Sequence, residues 1–154
     1  MSNEPLIGVV WSTFISRGFF STGYALIITP SKVTGSKKAM WTHGGLLAYF
    51  GPGSQATQEE LDSAKKVADE LLETKEFELE KDSILRICYR EPNAFSGGSV
   101  QFETSNQKIK VNVDIIRGSS ELPTLNTLVS CLSAFAPDRF YDDRKHVLMS
   151  QKKR

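Results

Sequence analysis

Residues Thr22 to Lys38, TGYALIITPSKVTGSKK, leave the chain little freedom. Tyr24 to Thr29 is apolar and β-branched enough to be a strand, and Pro30, which cannot donate a ladder hydrogen bond, ends it or holds it to an edge. Ser31 and Lys32 supply a turn, and Val33 to Lys37 returns as a short strand. A strand that reverses in so few residues pairs antiparallel, because a parallel neighbour needs a crossover of a dozen residues or more.

The same restriction governs the second half of the chain. Phe77 and Leu79 alternate with glutamates, Lys81-Asp82-Ser83 turns, and Ile84 to Arg90 follows as a strand with Leu85, Ile87 and Tyr89 assigned to one side. Ser99 to Thr104 places Val100 and Phe102 inward, and Ser105 to Lys108 forms a hairpin loop. Ile109, Val111, Val113 and Ile115 then share a face. Near the start, Leu6 to Trp11 reads as an opening strand and Ser12 to Gly23 as a long connection.

Two segments carry helical periodicity. Thr57 with Glu60 forms a capping box, and Leu61, Ala64, Ala68, Leu71 and Leu72 make one apolar stripe. Pro123 near a first turn, with Leu125, Leu128, Val129, Leu132 and Phe135 at helical spacing, marks a second helix stopped before Pro137. Between the first hairpin and the first helix, Ala39 to Gln55 threads Gly44, Gly45, Gly51, Pro52 and Gly53 through apolar residues. This pattern predicts a loop with a short helical turn around Leu46 to Phe50. Asp138 to Arg154 is charged after Tyr141, and its last ten or so residues read as a frayed tail.

At 154 residues the chain has the size of one domain. A formal net charge of +1 gives no global field that would argue for nucleic acid. Cys88 and Cys131 sit in apolar patterns without CxxC spacing or a nearby histidine, so they read as buried reduced thiols and not as metal ligands. The N-terminus lacks the basic and long apolar regions of a signal peptide, and no run is long enough for a membrane span. A cytoplasmic location is the default expectation.

This succession of elements resembles the pleckstrin-homology-like (PH-like) superfold. Tyr24 to Lys38, with its Thr29-Pro30-Ser31-Lys32 turn, looks like the strand-turn-strand of small prokaryotic PH-like and GRAM-like domains. Phe77 to Arg90 looks like their next pair, and Leu122 to Tyr141 like their closing helix. The resemblance implies an α+β fold: a bent antiparallel β-barrel with a C-terminal amphipathic helix across one open end. Residues 1–141 would form a single domain with a helical insertion at 39–74, followed by a flexible charged tail at 142–154. Ser12 to Gly23 offers only Arg17 where phosphoinositide-binding PH domains carry a basic cluster, which disfavours that ligand.

Catalytic signatures are missing: no nucleophile elbow, Walker loop, dinucleotide fingerprint or zincin motif. His43, beside Trp41, is the single candidate general base, since His146 falls in the charged tail. The remaining candidate surface combines Lys32, Lys37 and Lys38 with Trp41, His43, Tyr49 and Phe50. The leading reading is a non-enzymatic binding module, without cofactor or metal, for a protein, a peptide or an anionic membrane surface. Two alternatives are a small-ligand site or enzyme that uses the glycine-rich loop around His43, and a homo-oligomeric structural subunit.

Overall fold

The computed structural model describes residues 5–12, 15–16, 23–37, 46–91, 97–113 and 122–142. Its strands are β1 (Gly8–Ser12), β2 (Ile15–Ser16), β3 (Tyr24–Ile28), β4 (Lys32–Ser36), β5 (Leu46–Tyr49), β6 (Lys75–Glu80), β7 (Ile84–Arg90), β8 (Gly98–Thr104), β9 (Lys108–Val113) and β10 (Phe140–Asp142). The helices are α1 (Gln58–Leu72) and α2 (Leu122–Phe135). The strands form two five-stranded sheets, ordered β5-β1-β3-β4-β6 and β10-β7-β8-β9-β2. All pairs are antiparallel except β10 with β7. The fold is α+β, and among the described residues no ladder closes the two sheets into a barrel.

The first sheet is covered on both faces, which explains the unbroken apolar run of β3. Tyr24, Leu26 and Ile28 enter one core with Val10 and Val33. Ala25 and Ile27 enter another with Val9 and Trp11. Ala64, Ala68 and Leu71 of α1 pack on the second group. Ser36 ties the helix end down, its hydroxyl donating to the Leu71 carbonyl at 2.6 Å. At the start of α1, Thr57 Oγ1 accepts from the Glu60 amide at 3.1 Å and Glu60 Oε1 accepts from the Thr57 amide at 3.3 Å. Such a cap is worth about 1 kcal/mol.

Among the described residues, the second sheet is covered on one face only. Ile84, Ile87, Tyr89, Val100, Phe102, Ile109, Val111 and Val113 point into the core they share with the first sheet. The stripe of α2, with Leu125, Leu128, Leu132 and Phe135, completes that core.

Four expectations are corrected. Leu46–Tyr49 is a strand and not a helical turn, because it can pair with the exposed edge of β1, Leu46 opposite Trp11 and Tyr49 opposite Gly8. Gly51, Pro52 and Gly53 come after it, where Gly53 supplies a φ of 85° to the turn. Leu85 does not share a side with Ile87 and Tyr89: a register shift between Ile84 and Arg86 turns it outward, and it is 62% exposed. The helix read over Leu122 to Tyr141 ends at Phe135, and Phe140–Asp142 adds a parallel strand to β7 after the long connection through α2. Ser12 to Gly23 is not purely a connection, because Ile15–Ser16 pairs with β9.

Candidate functional site

Of the lysine and aromatic candidates, the four described, Lys32, Lys37, Tyr49 and Phe50, do not form one cluster. Lys32 and Lys37 lie at opposite ends of β4. Five residues of strand separate them by about 17 Å. Lys32 is paired with Glu78 at 2.5 Å, and Glu78 also takes Lys75 at 2.8 Å. The hydrogen bond from Lys32, then that from Lys75, holds the Glu78 carboxyl below its ordinary pKa. Lys37 is exposed, and its amide donates to Thr74 O at 3.3 Å.

Tyr49, on β5, and Phe50 just after it are separated from β4 by two strands, β1 and β3. Both are half-buried. Tyr49 packs on the shared core and donates its hydroxyl to Pro52 O at 2.6 Å, and burial, then the neighbouring Cys131 thiol, raises its pKa. Phe50 packs on the α1 side, with its amide donating to Ile7 O at 2.7 Å. Lys38, Trp41 and His43 lie outside the described residues, as do Arg17, Ile115, His146 and the 143–154 part of the predicted tail.

The structure assembles a different surface on the outward face of the second sheet. Strand alternation sends Ile87, Tyr89, Val100, Phe102, Val111 and Val113 inward, so Arg86, Cys88 and Arg90 of β7, Ser99, Gln101 and Glu103 of β8, and Lys108, Lys110 and Asn112 of β9 all face out. Register sorts them into rows across the strands: Arg86, Glu103 and Lys108; then Tyr141, Cys88, Gln101 and Lys110; then Arg90, Ser99 and Asn112. Neighbours within a row are about 4.8 Å apart, and rows are about 7 Å apart. Arg86, Arg90, Lys108 and Lys110 therefore share this face with the carboxylate of Glu103.

Glu103 is the electrostatic anchor. Its carboxylate is buried at 8% exposure, accepts from Arg86 Nε, and lies 3.6 Å from Lys108 Nζ. The Arg86 hydrogen bond holds its pKa down to about 2 against the opposing effect of burial. Glu103 raises the Arg86 pKa in return. The Arg86 guanidinium also lies 6.0 Å from the Tyr141 ring centroid, a cation–π contact.

Beside this row, Arg86, Cys88, Arg90, Ser99, Gln101 and Tyr141 line an open cleft of about 370 Å³. Leu85 and Tyr141 stand exposed on the same two strands, at 62% and 51%. Cys88 is a free, half-exposed thiol on this face, which corrects the expectation of a buried one. Burial raises its pKa, and the thiol donates to Glu103 Oε2 at 3.6 Å. Cys131 is free and buried, as the sequence predicts. Among the described residues no cluster of His, Cys, Asp and Glu could hold a metal ion.

The face can bind anions and stack planar or apolar groups. Sequence reasoning misses it, although the signal is present: the polar positions of ILRICYR and of the 108–112 strand carry Arg86, Arg90, Lys108 and Lys110 at the alternation that puts them together. No helix of the described structure is long and apolar enough to cross a membrane. No family model, curated protein or solved structure matches the chain.

Proposed function

We propose that this chain is a non-enzymatic, PH-like binding module that takes an acidic polypeptide on the outward face of β7, β8 and β9. One contrast carries the reading: α1 covers the outward side of the first sheet, whereas the outward side of the second displays Arg86, Arg90, Lys108 and Lys110 beside exposed Leu85 and Tyr141. An interface rich in arginine and tyrosine with a charged rim suits a protein partner. The PH-like part rests on the antiparallel order of strands and on α2 packing into the core between the sheets.

An acidic chain is favoured over a lipid surface because the cations form a grid set into a strand face with a cleft between them, and not a protruding lysine-rich loop. Fluorescence anisotropy with a labelled oligoglutamate peptide tests the reading. Binding should weaken by about tenfold or more on raising salt from ~0.03 M to ~0.3 M. It should weaken by about as much in a Lys110→Glu, Arg90→Glu variant, since each exposed ion pair is worth ~0.2–1 kcal/mol and reversal adds repulsion. Binding that ignores the reversal, or capture by phosphatidylserine vesicles without capture of the peptide, overturns the reading.

A further inference from the structure

We infer that the acidic partner of this face is the α1 helix of a second copy of the chain, which docks head to tail. The inference rests on the proposed acidic-polypeptide reading and names its partner. α1 buries Ala64, Ala68 and Leu71 against the first sheet. Its opposite side exposes Glu59, Asp62, Asp69 and Glu70, with Glu73 just past its end and Lys66 in their midst. At helical spacing these carboxylates form one outward ridge. Leu47, 38% exposed on β5, lines a cleft with Glu59 and Glu60, so the acidic surface has an apolar spot of its own beside the helix start.

The two charged surfaces cannot meet within one molecule. The inward faces of the two sheets share a single core, so the outward faces, one under α1 and one bare of other described residues, look in opposite directions. A net charge of only +1 therefore conceals a separation of charge, with an acidic ridge on one side and a basic grid on the other.

Dimensions agree. The 15 residues of α1 extend about 22 Å, and the face from β10 to β9 is about 15 Å across. Ridge on grid places Glu and Asp side chains over Lys108, Lys110 and Arg90, while Leu85 and Tyr141 approach the Leu47 end or the helix flank. The contact is heterologous, because each molecule offers a different patch to its neighbour, and it propagates into chains instead of closing as a dimer. So small an interface belongs to the weak, transient class, and screening should dissolve it.

Sedimentation velocity on three forms of the full chain tests this. Wild type should show a weight-average sedimentation coefficient that rises with protein concentration at ~0.03 M salt and falls to the monomer value at ~0.3 M. A basic-face variant (Arg90→Gln, Lys108→Gln, Lys110→Gln) and an acidic-ridge variant (Glu59→Gln, Asp62→Asn, Asp69→Asn) should each remain monomeric alone. Each keeps one intact surface, so mixing them should give a capped one-to-one dimer and nothing larger.

Three outcomes overturn the inference: wild type that stays monomeric up to ~1 mM, variants that associate as wild type does, or a mixture that does not combine. If association fails while wild type still captures oligoglutamate, the second-copy assignment falls and the acidic-polypeptide reading stands. If the peptide is not captured either, both fall.

Discussion

Gly8→Ala tests how closely α2 is seated on the first sheet. Gly8 pairs with Ile28 on one side and Tyr49 on the other, and its φ is not in the left-handed region, so backbone conformation alone would tolerate alanine. Space would not. A Cβ at this position meets Cys131 Sγ at 2.2 Å and the Ala48 carbonyl oxygen at 2.6 Å, far inside the ~3.5–4 Å of a relaxed contact. The sulfur belongs to a fully buried side chain of α2 and the oxygen to the backbone of β5, so relief requires a helix or a strand to move.

Overpacking of this kind costs ~1–3 kcal/mol, and a backbone neighbour argues for the upper half of that range. Restricting the unfolded chain returns ~0.4–1 kcal/mol, which leaves a net loss of about 2 kcal/mol. For a chain of 154 residues that lowers Tm by roughly 4–8 °C. Cys131→Ala removes the sulfur contact and leaves the carbonyl one, so the double variant should lose about 1 kcal/mol less than the sum of the singles. Thermal and urea unfolding followed by circular dichroism reads all four forms. A Gly8→Ala protein within ~0.5 kcal/mol of wild type, or strict additivity in the cycle, would refute the packing described.

Two further outcomes follow from titrating groups. The folded Glu103 carboxyl is held at about 2, below its ordinary 4.5, so its contribution to stability is complete above pH 4.5 and is lost as pH falls toward 2. The stability gap between wild type and Glu103→Gln should therefore close across that window in urea melts, and a gap that does not change with pH would show that the carboxylate is not held as described. The Cys131 thiol is buried and pushed up to about 12, whereas Cys88 is half-exposed. Iodoacetamide at pH ~8 should modify Cys88 while sparing Cys131 until the protein unfolds, and equal rates for the two by mass spectrometry would contradict their burial.

Elements whose side chains alternate or repeat with one clear period are legible in the sequence alone. The capping box and stripe of α1, the inward Val100, Phe102, Val111 and Val113, and the α2 residues Leu125, Leu128, Leu132 and Phe135 all fall where local pattern places them. What escapes depends on a distant partner. Leu46–Tyr49 is four residues long beside glycines and a proline, and only the unpaired edge of β1 makes it a strand. Phe140–Asp142 is shorter still and is defined by β7. A one-residue irregularity at Ile84 to Arg86 moves Leu85 from core to surface, and composition cannot register such a slip. The basic face is concealed because its cations are far apart in sequence. Lys32, Lys37 and Lys38 stand close together in the chain, whereas cross-strand register joins Arg86 to Lys108 and aligns Cys88 with Lys110.

The outward positions of the two sheets differ in a way that constrains any occupant. On the first sheet they are Val9, Trp11, Ala25 and Ile27, which lose free energy when buried and so hold α1 in place. On the second, Gln101 and Lys110 keep their hydration only while the face is bare or is met by groups that replace the water. An apolar cover would bury charge without compensation, and the carboxylates of the proposed acidic partner are groups that replace that water. Glu103 already neutralises the Arg86 row from within. The row of Cys88, Gln101 and Lys110 contains no such carboxylate, and an acidic ridge gains most by centring there. In the proposed docking, exposed Tyr141 at the β10 end of that same row is the apolar contact that would distinguish a docked partner from a diffuse cloud of counterions.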